Sequence, residues 1–143
     1  MAVSRYMLDT NIASYIVRGP SPALAARLVA VPMSHLCVSS ITEGELLYGL
    51  ARKPGAINLQ TAVREFLSRV EVLAWDSAAA ARYGALRAAL EAKGTPLGNL
   101  DALIAAHALA MDAILVTNDR AFARVPALVV ENWKSRSAAW RTT

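Results

Sequence analysis

Short apolar segments alternate with longer helical segments along the whole chain of 143 residues. Five of the short segments predict β-strands, at residues 5–9, 35–40, 71–75, 113–117 and 127–133. These segments are nearly continuous apolar runs, which is typical of strands that are buried on both faces of a sheet. Strands that alternate with helices predict an α/β fold, with a central parallel sheet flanked by helices on both faces.

The segments between the strands carry helix signals. Helices are predicted at 11–17, within 19–31, and at 41–53, 57–70, 77–94 and 100–111, and a short irregular segment is predicted at 119–125. Pro22 suits the first turn of the second helix, because its missing N–H has no partner there in any case. Gly94 ends the long Ala-rich helix.

The chain length and composition indicate one folded domain. No internal repeat or linker interrupts residues 1–133, which we predict to be the domain, and residues 134–143 form a basic tail without acids. Apolar residues make up 55% of the chain and the mean hydropathy is +0.34, so the chain can bury a full core. The apolar share also predicts a surface that a partner covers.

Several features favour the cytoplasm. The sequence shows no secretory signal and no apolar run of about 18 residues that could cross a membrane. Cys37 is the single cysteine, so no intrachain disulfide can form, and its apolar surroundings predict a small core residue. We therefore expect a cytoplasmic protein without a membrane segment.

The net charge of +4 comes from 15 basic and 11 acidic residues. If four acids gather at one site, seven acids remain elsewhere against all 15 basic residues. An acidic site in a basic surround suits a phosphate-backbone ligand. The charge alone fits an Arg-rich solvated surface equally well.

Four acids lie where the predicted strands end or where the following helices begin. Asp9 ends the first strand, and Asp119 follows the fourth. Glu45 and Asp101 lie near the starts of predicted helices. In a parallel sheet these positions share one edge, where function gathers.

Each of these acids also has a purely structural interpretation. Thr42 with Glu45, and Ser40 with Glu43, fit the spacing of a capping box at a helix start. Glu43 and Glu45 are two residues apart, so they cannot share one helical face.

The later acids have similar structural interpretations. A first-turn Asp101 favours the helix macrodipole, with Asn99 as the predicted cap. Asp119 fits an N-cap for the short segment that follows it. These interpretations explain each acid singly, but they do not explain why all four lie at the same edge.

Four carboxylates at one edge would repel each other strongly unless a cation lies between them. A donor set made only of oxygen predicts magnesium or manganese. One or two such ions can activate a water and stabilise in-line attack on a phosphodiester. His107 is predicted to be a packed histidine, and the sequence contains no zinc spacing, phosphate-binding loop or nucleophile elbow.

The segments that carry these acids resemble a known family. "MLDTN", "SSITEGELLYGL", "GTPLGNLDALIAAHAL" and "LVTNDRAFARVPAL", in this order and at these spacings, are similar to PIN-domain ribonucleases. More narrowly, they are similar to VapC-type toxins of bacterial type II toxin–antitoxin systems. The resemblance extends from about residue 6 to Trp133. It implies a PIN-like fold and an endoribonuclease that depends on Mg²⁺, with Mn²⁺ as a possible substitute.

The resemblance also implies the catalytic and metal-binding acids. Matched position by position, they are Asp9, Glu45, Asp101 and Asp119. Glu45 matches the helix acid of the family and Glu43 does not.

Polar neighbours of these acids match site-lining positions of the family. They are Asn11, Thr117 and Asn118. Several members of the family carry Asn in place of the last acid, so Asn118 and Asp119 could exchange roles.

The resemblance further implies partners and a target. An antitoxin of VapB type would bind an apolar groove, predicted within residues 41–70, and would insert a residue near the acids. A toxin homodimer within a larger toxin–antitoxin complex is expected. The RNA substrate would be a structured loop of tRNA or rRNA, whose cleavage inhibits translation. No histidine is placed to activate a 2′-hydroxyl, so we expect products with 3′-hydroxyl and 5′-phosphate ends.

Two other functions remain open at this point. The first is an aspartate-based phosphotransferase with Asp9 as nucleophile, although such enzymes usually carry a second acid two residues later, where this chain has Asn11. The second is a non-catalytic PIN-domain scaffold that binds RNA or protein. Such a scaffold would have lost site acids, whereas this chain keeps all four.

Overall fold

The computed structural model of this protein describes residues 4–134. Five strands form one sheet, and every neighbouring pair of strands is parallel. The strands are β1 (Tyr6–Leu8), β2 (Leu36–Ser39), β3 (Glu71–Leu73), β4 (Ile114–Val116) and β5 (Val130–Glu131). Their spatial order is β3-β2-β1-β4-β5, so the first strand occupies the centre. The predicted parallel α/β fold is confirmed, whereas most of the predicted basic tail lies outside the described residues.

Six α-helices connect and cover the strands. They are α1 (Thr10–Arg18), α2 (Pro22–Ala30), α3 (Ser40–Ala51), α4 (Ile57–Arg69), α5 (Ser77–Ala92) and α6 (Asn99–Ala110). Two short 3₁₀ helices lie at Met33–His35 and Arg120–Arg124. None of the helices among residues 4–134 is long and apolar enough to cross a bilayer.

Successive strand residues point into two different cores, one on each face of the sheet. Met7 packs with residues of α5 and α6, while the next residue, Leu8, packs with residues of α1 to α4. In β4, Leu115 packs in the α5/α6 core and Val116 packs in the α1–α4 core. Both alternating positions are therefore apolar, which explains why the strands have no polar face. Cys37 lies in the α5/α6 core, as predicted, and burial raises the pKa of its thiol to about 12.

The last strand is much shorter than predicted. Ala127 has a φ of 68°, a left-handed conformation that cannot continue an extended strand. Only Val130 and Glu131 pair with β4. The apolar run at 127–133 is nevertheless buried in part, because Leu128 and Trp133 fill the two cores.

Trp133 closes the α1–α4 core near the end of the described chain. Its ring is fully buried and lies 5.1 Å from the Tyr6 ring, centroid to centroid. Its Nε1 donates a hydrogen bond of 3.0 Å to Oε1 of Glu131, which also accepts one of 2.9 Å from Nη2 of Arg27. The buried charge of Glu131 is thus satisfied by a guanidinium and an indole.

We predict that Trp133→Ala lowers the free energy of unfolding by about 3–5 kcal/mol, because it leaves a cavity and removes a donor from buried Glu131. Trp133→Phe should cost less, about 1–3 kcal/mol, since a phenyl ring still fills much of the space while the hydrogen bond to Glu131 is lost. Urea denaturation of both variants measures these losses. Equal stability of Trp133→Ala and the wild type would contradict this account of the core.

Candidate active site

Asp9 joins the central strand to the first helix. Its Oδ1 accepts a hydrogen bond of 2.8 Å from the N–H of Ile12, so the side chain caps α1. Its own N–H donates to the carbonyl of Val116 at 3.0 Å, which holds the junction against β4. The residue is only 3% exposed, so its carboxylate is almost fully withdrawn from water.

The pKa of Asp9 is raised to about 6. Burial is the main cause, because a carboxylate without water disfavours its charged form. The charges of Asp101 and Asp119 raise this pKa further, while hydrogen bonds from Thr117 and Ile12 oppose the rise. The three aspartates therefore lie close enough to repel one another.

Thr117 and Asp119 form the next part of the site, directly after β4. The N–H of Asp119 donates to Oγ1 of Thr117 at 3.0 Å, and the Thr117 hydroxyl hydrogen bonds to the Asp9 carboxylate. Oδ1 of Asp119 accepts from the N–H of Ala121 at 2.9 Å, which confirms the predicted N-cap. Asn118 is half-buried between them. Thr117 thus links the two acids that follow neighbouring strands.

Asp101 lies in the first turn of α6, as predicted. Burial raises its pKa, and the charge of Asp119 raises it further. The predicted cap at Asn99 is wrong, because Gly98 is the N-cap and Asn99 is already helical. A Cβ on Gly98 would lie 3.7 Å from Oδ2 of Asp101, so the carboxylate folds back over the start of its own helix.

The start of α3 is also different from the prediction. Ser39 is the N-cap, and its Oγ accepts from the N–H of Ile41 at 3.0 Å, so neither predicted capping box forms. Thr42 lies inside the helix, and its hydroxyl pairs with that of Thr10 at 3.2 Å. Glu45 therefore has no capping role.

Glu45 is half-buried and lines a cleft of about 80 Å³ beside Thr10, the residue after Asp9. The charges that raise the pKa of Asp9 are those of Asp101 and Asp119. Asn11 is exposed in the first turn of α1. The structure thus brings three predicted acids together and places Glu45 in an adjoining cleft.

The donor chemistry of these residues suits a hard divalent cation. All the side chains are carboxylates or other oxygen donors, and a cation would relieve the cost of burying charged Asp9 beside two acids. Within residues 4–134, however, no three His, Cys, Asp or Glu side chains approach closely enough to hold an ion in their present conformations. The oxygen donors of these residues suit a divalent cation, but their side chains are not arranged at metal-binding distances in this structure.

A ring of hydrogen bonds, which the sequence did not reveal, ties α6 to the start of α3. Oγ of Ser39 hydrogen bonds with Nδ1 of His107 at 2.9 Å, and Oγ of Ser40 accepts from the N–H of Trp75 at 3.1 Å. Nε1 of Trp75 then donates to the carbonyl of Leu103 at 2.9 Å. The ring fixes the helix of Asp101 against the helix of Glu45.

His107 is the buried member of this ring and, as predicted, a packed histidine. Its side chain is fully buried, and its Nε2 has no hydrogen-bond partner in the described part of the chain. Burial lowers its pKa, although the charge of Asp76 opposes that effect. The neutral imidazole therefore serves the packing of α6.

Comparison with known proteins places this arrangement in a family. The PIN domain model matches residues 6–128. The tRNA(fMet)-specific endonuclease VapC of Salmonella typhimurium is 38% identical over 130 residues, which cover 90% of this chain and 98% of that protein. Ribonuclease VapC2 of Rickettsia felis is 39% identical, with coverage of 90% and 97%.

Solved structures agree with the sequence comparison. DNA-bound VapBC from Salmonella typhimurium superposes with a TM-score of 0.85 at 37% identity, covering 92% of this chain and 99% of that one. VapBC2 from Rickettsia felis, bound to a promoter DNA fragment, gives 0.83 at 38% identity, with coverage of 90% and 98%. This chain belongs to the PIN domain family and, within that family, to the VapC group.

We predict that Asp9→Asn stabilises the metal-free protein at pH 7.5, by up to about 3 kcal/mol. The folded-state pKa of Asp9 lies above the unfolded value, so the folded state loses stability as pH rises from about 4 to about 6. Asn can still cap α1 but carries no charge. Urea denaturation in EDTA from pH 4 to 8 should show the gain vanish near pH 4.

Asp112→Asn is the matched control, because it removes an exposed carboxylate outside the site. It should change stability by less than about 0.5 kcal/mol across the same range. A stability gain for Asp9→Asn that does not depend on pH would contradict the charge-burial explanation.

We also predict that Trp75→Phe lowers stability by about 1–2 kcal/mol and speeds amide exchange in α6, because the bond to the Leu103 carbonyl is lost. The matched control is Tyr83→Phe, which keeps the ring that packs edge-on against Trp75. Hydrogen exchange read by mass spectrometry tests both variants. Unchanged exchange in α6 would show that the ring does not fix that helix.

Proposed function

We propose that this protein is a divalent-metal-dependent endoribonuclease and the toxin of a type II toxin–antitoxin pair. The observation that carries the proposal is the burial of Asp9 at the carboxyl end of the central strand, where the charges of Asp101 and Asp119 raise its pKa. The names of the relatives support it, since they are a tRNA(fMet)-specific endonuclease and a ribonuclease. The proposed substrate is a structured loop of tRNA or rRNA in the cytoplasm, whose cleavage would inhibit translation.

Asp9, Asp101, Asp119 and Glu45 are the proposed ligands of Mg²⁺ or Mn²⁺. When bound, such an ion supplies an activated water and stabilises the charge that develops on the phosphate. The protein contributes orientation, because Thr117 and the N–H of Ile12 fix the Asp9 carboxylate. Asn11 and Asn118 flank these acids in the chain and are proposed to line the site.

The proposed reaction is hydrolysis at phosphorus. Water attacks the phosphate in line, the bond to the 3′-oxygen breaks, and the products carry a 3′-hydroxyl and a 5′-phosphate. Neither histidine can deprotonate a 2′-hydroxyl: His107 is buried against Ser39, and His35 precedes β2 at the opposite edge of the sheet. The expected products follow from this placement.

The proposed partner is an antitoxin of VapB type. The solved relatives are VapBC complexes, which supports this assignment. An apolar cavity of about 290 Å³ lies between α1, α2 and α4 and is the proposed seat of an apolar antitoxin segment. Of the segment predicted to form that groove, 41–70, only residues within 62–70 line the cavity, and Ile16, Val17 and Leu28 contribute from the earlier helices. We also propose a toxin homodimer within the complex.

A non-catalytic scaffold is the alternative. It is favoured by the absence, among residues 4–134, of a cluster whose side chains already stand at metal-binding distance. The retained acids favour the nuclease, and metal-binding measurements separate the two functions.

We predict that the antitoxin-free protein cuts total bacterial RNA at discrete positions with Mg²⁺ or Mn²⁺ and not with EDTA. Asp9→Asn should abolish the cuts while the protein stays folded, because the buried ligand loses its charge. Sequencing of the RNA ends locates the cuts and identifies their chemistry. Asp112→Asn, the exposed-acid control, should cut like the wild type.

Other outcomes would change the proposal. Recovery of 2′,3′-cyclic phosphate ends would overturn the hydrolytic mechanism, and cutting in EDTA would overturn the metal requirement. A folded protein that neither cuts RNA nor binds Mn²⁺ by calorimetry would support the scaffold.

A further inference from the structure

The cleft that holds Glu45 extends away from the aspartates between α1, α3 and α4. Its volume is about 80 Å³. Its polar lining residues are Thr10 and Glu45 toward the site and Ser14 and Arg18 farther along, with Gly49 beside them. The remaining lining is apolar and consists of Val17, Leu46, Leu59 and Val63. The cleft thus connects an acidic site to a guanidinium.

The polar side chains of α1 line this cleft because of their spacing. Thr10, Ser14 and Arg18 are four residues apart and so lie on one helical face. Arg18 is exposed, and its Nε donates a hydrogen bond of 3.2 Å to Oγ of Ser14, which ties the guanidinium to its own helix.

The two terminal amino groups of Arg18 remain free. Among residues 4–134, Arg18 forms no ion pair and no hydrogen bond other than the one to Ser14. Its place in the last turn of α1 suits the helix macrodipole, but that effect does not require a tether to Ser14. A guanidinium tethered through Nε, with its two terminal amino groups free, is suited to an oxyanion.

Gly49 lines the cleft from α3, with open space beside it. A Cβ at this position would meet no atom within 4 Å, and a glycine in a helix interior is otherwise unfavourable. This open space leaves room for a backbone group in front of Arg18.

We propose that this cleft is a subsite for a phosphate of the RNA strand that flanks the cleaved bond, held by Arg18. The helix rise places Arg18 about 12 Å from Thr10 along α1, so the bound phosphate is a neighbour of the reacting one. The hydroxyls of Thr10 and Ser14 line its path. The inference rests on the proposed ribonuclease function and names how its substrate is held.

Arg18→Gln should raise KM by about tenfold with kcat unchanged, because the flanking phosphate is bound equally in ground and transition states. The slope of log kcat/KM against log salt should fall by about 0.7, the value for one lost contact to a single strand. The KM of Arg18→Lys should lie between those of the wild type and Arg18→Gln, because Lys keeps the positive charge but loses the planar, two-pronged donor geometry of the guanidinium. The substrate is an oligoribonucleotide that spans a mapped cut.

Arg82→Gln is the matched control. Arg82 is an exposed arginine of α5, on the other face of the sheet, and its loss changes the net charge equally. This variant should keep the KM and salt slope of the wild type. Equal KM values for Arg18→Gln and Arg82→Gln would overturn the subsite.

A binding measurement tests the phosphate subsite independently of RNA cleavage. Fluorescence anisotropy with a labelled oligoribonucleotide compares Asp9→Asn with the Asp9→Asn, Arg18→Gln double variant. About tenfold weaker binding by the double variant supports the subsite, even if the wild type cuts no RNA. Equal RNA binding by Asp9→Asn and the double variant would overturn the subsite. The subsite would also be overturned if Arg18→Gln weakened binding to the antitoxin and left RNA binding unchanged.

Gly49→Gln tests the same cleft without touching a charge. The longer side chain should fill the space before Arg18 and raise KM, while the thermal midpoint stays equal or rises because glycine leaves the helix. Gly84→Gln, in α5, gives the same helix gain away from the cleft. Unchanged KM in Gly49→Gln would show that RNA does not enter the cleft.

Discussion

A buried carboxylate at the junction of β1 and α1 dominates the architecture of the site. Asp9 is held by the N–H of Ile12 and the hydroxyl of Thr117, and these bonds offset part of the cost of removing its charge from water. The repulsion from Asp101 and Asp119 works in the opposite direction. The fold therefore holds like charges close together at the centre of its sheet, and the proposed cation would lower the free-energy cost of that arrangement.

The sequence predicted the sheet and most of this edge because both depend on local patterns. Continuous apolar runs identified the strands, and a polar residue at the end of a run identified the strand end, as for Asp9, whereas Thr117 was singled out by the resemblance to the family. The parallel arrangement then placed these ends together. The last strand was predicted to be longer than it is, because an apolar sequence does not indicate the left-handed backbone conformation at Ala127.

Features that join distant parts of the chain could not be predicted. Ser39 was not recognised as the cap of α3, and its bond to His107 spans 68 residues. The cleft position of Glu45 depends on how α1 packs against α3. Spacing rules describe neighbours within one helix, whereas these contacts depend on how two helices meet.

The division of the molecule into two cores has a consequence for partly folded states. Glu45 belongs to the layer of helices on one face of the sheet, and Asp101 belongs to the layer on the other. Asp9 lies between them at the central strand. No fragment that retains a single layer carries the whole acid set, so a nascent or partly unfolded chain has no complete centre. In the proposed nuclease, the metal site is therefore complete only when both layers of helices have docked onto the sheet.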